Sequence, residues 1–180
     1  MNTIKKDLRF PIGEFIKPTS LDLPTRSKYI EIIADFHSKM VQISSGLKEE
    51  LNWRYRPDGW TIAQVIHHCS DSHMNALIRF KLTLTEDSPT IRPYFEDRWA
   101  ELADTLESNI ENPLEIIKGV HNRWTILLNS MKNSDFEKHY VHPELGETYT
   151  LDQALANYEW HCRHHFAHIE QALEHKGEFN

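Results

Sequence analysis

Cysteine is almost missing from this 180-residue chain: only Cys69 and Cys162 are present, with no C-x-x-C pair. No apolar run approaches the roughly 18–20 residues of a membrane span. The opening stretch, MNTIKKDLRFPIGEF, carries charges but lacks the apolar segment of a signal peptide. Without an export signal, both cysteines read as reduced thiols of a cytoplasmic protein. Positive charge is also short, with 20 Lys and Arg against 27 Asp and Glu and a net charge of −7. No basic cluster exceeds Lys5-Lys6, which argues against a nucleic-acid backbone as partner. Internal repeats, a Ser/His/Asp order and a glycine-rich phosphate loop are absent too.

What is abundant is histidine, with 12 residues. Neutral imidazole is the commonest protein metal ligand, so this excess is the feature to place. Four of the histidines fall in the run Trp160-His161-Cys162-Arg163-His164-His165-Phe166-Ala167-His168.

The length fits one domain, residues 1–180, with residues 1–24 as an extended arm carrying Pro11, Pro18 and Pro24. A first helix is expected after Thr25, reaching about Leu47, because Ile30, Ile33, Phe36, Met40 and Ile43 recur at spacings of three and four. Thr61 followed by Gln64 is a capping box, opening a second helix over Ile62 to about Thr83. Pro89 and Pro93 make the segment 85–97 a long connection, with a short helical piece near Arg98–Leu106. A third helix is expected from an Asn112 cap and Pro113 to about Met131. Residues 138–149 read as a small hairpin. Thr150 and Gln153 form a second capping box, opening a fourth helix to about His175, with Gly177 as its stop. The fold class is therefore all-α, a four-helix bundle. Bundles place metal sites between facing helices.

Residues four apart on a helix share a face, so two pairs compete: His161 with His165, and His164 with His168. The stripe of the last helix is Leu151, Leu155, Tyr158, Cys162, Phe166, Ile169 and Leu173. At about 100° per residue, His165 lies within roughly 50° of its centre, His161 at its edge, and His168 roughly 100° away. His164 points more nearly opposite. The first pair is therefore favoured as ligands, leaving His164 and His168 as flanking surface residues or as partners that orient a ligand. A catalytic zinc takes three protein ligands and an open position. The second helix offers His67, His68 and His73, of which angular position favours His73.

The segment 55–92, with Gly59-Trp60-Thr61, Val65-Ile66-His67-His68, Asp71-Ser72-His73-Met74-Asn75 and Ile78-Arg79-Phe80-Lys81-Leu82, resembles the DinB-like superfamily. More narrowly, it is similar to the YfiT-type metal-dependent hydrolases. Pro11-Ile12-Gly13, the stretch Pro89–Tyr94, His121-Asn122-Arg123-Trp124 and Trp160-His161 extend the resemblance over nearly the whole chain. It implies a DinB-like bundle, a homodimer, and a ligand set of His68, His161 and His165, choosing His68 over His73. Cys69 and Cys162 beside ligand positions leave open a mixed Cys/His site that includes His73.

Three neutral imidazoles leave the charge of zinc, or of nickel on similar ligands, uncompensated. A bound water is then acidified for hydrolysis of a small-molecule substrate. The same site can activate a low-molecular-weight thiol for S-transfer, which the superfamily resemblance also includes. A non-catalytic metal-binding bundle is the third reading. Asp71 and Glu159 can orient a ligand's second nitrogen, and Arg79, on the His68 side of its helix, can bind an anionic substrate group. Tyr140, His142 and Tyr149 place the hairpin as a lid or as a purely structural element.

Overall fold

Helix starts are where local chemistry speaks most clearly. The computed structural model of the protein describes residues 7–144 and 146–180; the first six residues of the arm, Lys5-Lys6 included, lie outside them. Helix α1 spans Leu23–Ser44, earlier at both ends than its apolar spacing implies, because the Asp22 side chain accepts from the Thr25 N–H. Pro24 fits this first turn, where a missing N–H costs nothing. Gly46, at φ +81°, helps turn the chain away after the last residue of the helix. Helix α2, Ile62–Thr85, and the last helix, α6, Leu151–His175, open on the expected capping boxes of Thr61 with Gln64 and Thr150 with Gln153. Lys176 ends α6 in the left-handed region, with Gly177 following in the same region.

Helix α4 covers Glu111–Ser130. Its expected Asn112 cap is displaced: the Asn109 side chain instead accepts from the Glu111 N–H, and Pro113 sits inside the first turn. The connection after α2 carries only a one-turn helix, α3, at Glu96–Trp99, and turns follow it where a helix was expected to reach residue 106. A further turn of helix, α5, occupies Asn133–Phe136, and a 3-10 turn lies at Glu49–Asn52.

Strands β1, His139–His142, and β2, Glu147–Thr150, form the hairpin with Tyr140 opposite Tyr149. The long connection is tied to it, since Val141 accepts from the Ile91 N–H and donates to the Pro89 carbonyl.

The four long helices form a closed ring in the order α1, α6, α2, α4, each packing on two neighbours. Their shared core holds Ile33, Phe36, Met40, Ile66, Phe80, Trp124 and Leu155, all essentially without solvent contact. This is a four-helix bundle. A buried ion pair fixes α1 to α6: Arg26 Nε and Nη2 donate to the two carboxylate oxygens of Asp152 at 2.8 and 2.9 Å. Residues 8–13 of the arm lie along α6, whose Gln171 and Trp160 side chains donate to the carbonyls of Leu8 and Gly13.

Candidate metal centre

The ring order makes α2 and α6 neighbours, and their seam collects the histidines. His161 and His165, one turn apart on α6, face His68 on α2, and one donor nitrogen from each lies within 4.8 Å of the others. His68 Nε2 and His161 Nε2 stand 3.2 Å apart. Around an ion with metal–nitrogen distances of about 2.0–2.1 Å, the edge of a tetrahedron is ~3.3 Å, so the His68–His161 pair matches one edge of a first-row divalent metal site, with the His165 donor close by. The donors are also chemically matched, being three imidazoles with no ammonium or guanidinium hydrogen-bonded among them.

Burial keeps the cluster neutral, which is the form that ligates. It pushes His68 down to about 4, with the charge of His164 adding to the effect. Burial first and the surrounding histidines second hold His161 and His165 well below the ordinary imidazole value.

Further histidines back the three. His73 Nε2 is 3.0 Å from His161 Nδ1, and His73 Nδ1 is 2.7 Å from His121 Nε2. His121 Nδ1 donates to the Ile33 carbonyl at 2.6 Å. On the other side, His168 Nδ1 is 3.4 Å from His165 Nδ1, and His168 Nε2 donates to the Arg9 carbonyl at 3.1 Å. Aromatic rings wall the site, with Trp60 4.7 Å from His68 and Trp160 stacked 4.2 Å from His164.

The three histidines open onto a cavity of about 540 Å³. Its lining includes Ser72 and Arg79 of α2, Tyr94 of the long connection, His142 and Glu144 of the hairpin, and Tyr158 of α6. Arg79 Nη1 donates to the Tyr158 hydroxyl at 3.1 Å, while its buried Nε has no partner. A cavity of this size suits a small molecule.

Of the residues singled out from the sequence, the structure brings His68, His161, His165, His164 and Arg79 to this cavity and leaves Asp71 and Glu159 off its lining. Glu159 is bound by Arg163 through both carboxylate oxygens. Asp71 is half-buried, its carboxyl raised to about 6 by burial and by Asp104. The nitrogens of His161 and His165 turned away from the site meet His73 and His168 instead. Cys69 and Cys162 are buried, and burial raises both thiols far above their ordinary range. Among the described residues, the sets of three or more converging donors are His68/His161/His165 and His164/His165/His168, so neither thiol joins a mixed site.

His164 and His168 are not surface residues, at 6% and 2% exposure, because the N-terminal arm covers their side of α6. His121 escapes a reading based on apolar spacing alone. Its position four after Ile117 and three before Trp124, on the buried stripe of α4, is the signal that locates it.

Residues 38–169 match the family profile of the DinB superfamily. The chain is 39% identical over 172 residues to YfiT of Bacillus subtilis, covering 95% of this chain and 97% of that protein. It is 44% identical over 170 residues to a Bacillus mycoides protein named "Putative metal-dependent hydrolase BcerKBAB4_2443", covering 94% and 97%. The solved structure of the Bacillus subtilis protein superposes with a TM-score of 0.91 over 94% of this chain and 98% of that one. That protein is described as "a probable metal-dependent hydrolase with an unusual four-helix bundle topology".

Proposed function

The chain belongs to the DinB superfamily, and from that premise we propose that it is a metal-dependent hydrolase whose ion is held by His68, His161 and His165. The observation that carries the reading is the convergence of three neutral, inward-facing imidazoles on the wall of a cavity sized for a small molecule. Zinc is the proposed ion, with nickel the alternative on the same ligands. When bound, such an ion acidifies a water and polarises a carbonyl or phosphoryl oxygen.

The chain's own residues supply the rest. Arg79, which lines the cavity with its Nη1 steadied by the Tyr158 hydroxyl, binds an anionic group of the substrate through its guanidinium. The aromatic faces of Trp60 and Trp160 narrow the approach to the imidazole cluster. His142 and Glu144, carried by the hairpin, also line the cavity and contact the substrate's outer end.

The test is a panel of carboxylated or phosphorylated esters and amides, incubated with zinc-loaded protein. Turnover that a chelator abolishes, and that His161→Ala reduces to the buffer rate, is the expected result. Metal-loaded protein that turns over none of the panel overturns the proposal. Turnover that appears only when a low-molecular-weight thiol is added overturns it in favour of S-transfer.

A further inference from the structure

The bundle holds more buried histidine than three ligands require, and the surplus is ordered. One line of contacts runs from the Ile33 carbonyl on α1, through His121 on α4 and His73 on α2, to His161 on α6, at 2.6, 2.7 and 3.0 Å. It visits every long helix. A second line runs from the Arg9 carbonyl of the arm through His168 to His165, at 3.1 and 3.4 Å. His73, His121 and His168 are at most 2% exposed.

A carbonyl can only accept, and each N···N contact between neutral rings holds a single proton. These two facts leave one arrangement for each line. The proton of His121 sits on Nδ1, facing Ile33, so its Nε2 must accept. His73 then donates from Nδ1 and accepts at Nε2. His161 therefore donates from Nδ1, and its Nε2 is bare. In the second line, His168 donates from Nε2 to Arg9 and accepts at Nδ1. His165 is thereby protonated on Nδ1, with Nε2 bare. A free imidazole exchanges between tautomers, and a metal captures only the form with its lone pair toward the site.

We infer that His73, His121 and His168 are positioning residues: two imidazole relays, each ending on a backbone carbonyl, hold His161 and His165 with bare Nε2 atoms turned to the metal. This rests on the three-histidine metal site proposed above. It accounts for the dispersal of these histidines over α2, α4 and α6, and it gives the arm a part in the site through the Arg9 carbonyl.

The test has two readouts. The first is long-range proton–nitrogen NMR of the metal-free wild-type protein. The expected pattern is Nδ1 protonation on His73, His121, His161 and His165, and Nε2 protonation on His168; a different proton position on His161 or His165 overturns the inference whatever the metal does. The second is zinc affinity by competition with a chromophoric chelator. His121→Phe leaves the His73 donor without an acceptor, and His168→Phe does the same to His165, so each should weaken zinc by about 10–100-fold. His121→Gln offers an oxygen to His73 and should recover most of the loss, which a role in packing alone would not allow.

Unchanged affinity in folded His121→Phe and His168→Phe overturns the inference. So does loss of a second equivalent of zinc in His168→Phe with the first unaffected, since that outcome makes His164, His165 and His168 a site of their own. If a variant fails to fold, the wild-type tautomers decide. Wild-type protein with the expected tautomers that binds neither zinc nor nickel sinks the proposed hydrolase and leaves the two imidazole relays standing as proton-ordered contacts.

Discussion

Acid should unfold the metal-free protein, and the buried histidines set how far. His68, His73, His121, His164, His165 and His168 are each less than a tenth exposed. Burial takes His68, His121 and His164 down to about 4 and His168 to about 3. His73 and His165 are also held well below the ordinary value by the same cause.

Above 6.5, neither the folded nor the unfolded chain protonates these rings, and nothing is at stake. Below it, the unfolded chain takes up protons that the folded chain refuses until about 4, so stability falls as pH drops through that window. At about pH 5.5 each of the four rings at about 3 to 4 forfeits ~1.3 kcal/mol relative to about pH 7.5. Those four sum to ~5 kcal/mol, against a total stability of about 5–15 kcal/mol, and His73 and His165 add in the same direction. Local relaxation and water entry reduce the total, leaving an expected loss of at least ~4 kcal/mol.

Urea unfolding of chelator-treated protein, followed by tryptophan fluorescence, measures this. With a slope of about 2 kcal/mol per molar, the midpoint should fall by at least ~2 M between the two pH values, if the protein is still folded at the lower one. Zinc at ~100 times its dissociation constant should return about 2.7 kcal/mol at the higher pH. A midpoint that moves by less than ~0.5 M with pH would refute the reasoning, because the rings would then have to be protonated, or hydrated, in the native state.

Other expectations follow from single contacts. Asp152→Asn leaves the buried Arg26 guanidinium without its counter-charge and should cost about 3–5 kcal/mol in the same urea assay, a loss under ~1 kcal/mol counting against a structural ion pair. Arg79→Met should raise KM for anionic substrates by about 10–100-fold, the worth of one charge-assisted hydrogen bond, with neutral analogues unaffected; steady-state kinetics on paired substrates decides it. Cys69 and Cys162, buried and with raised thiol pKa values, should resist a thiol reagent until the protein unfolds. Stoichiometric labelling of the native protein would contradict that.

The bundle was legible in the sequence because its signals are local. The boxes at Thr61 with Gln64 and Thr150 with Gln153 each need only four residues, and both start the helix they predict. Ends that depend on one side chain were less so: Asp22 and Asn109 each reach a backbone N–H, and the helix starts beside them come three and two residues early.

Angular position reports how deep a residue lies, not which neighbouring helix it meets. His73 is indeed the deepest histidine of α2, at 0% exposure, but it points through the bundle toward His121. His68, off the centre of the stripe, lies at the seam with α6. The burial of His164 and His168 could not be read from α6 at all, since the arm that covers them makes contacts 159 and 163 residues away in sequence. Asp71 and Glu159, sensible as carboxylate partners when only helix faces are known, give way to His73 and His168, which lie on the same two helices.

The ring order of the helices also bears on when a metal can first be held. A nascent chain emerges N-terminus first, with its early segments folding as they appear. His68 is made early, on α2, but its two companions belong to α6, the last helix, and the final link of one relay closes between Arg9 and His168 across 159 residues. Until α6 has left the ribosome and docked between α1 and α2, the chain offers one of the three proposed ligands. For the proposed ligand set, metal acquisition is thus a late event, and a chain broken anywhere before α6 lacks two of its three ligands.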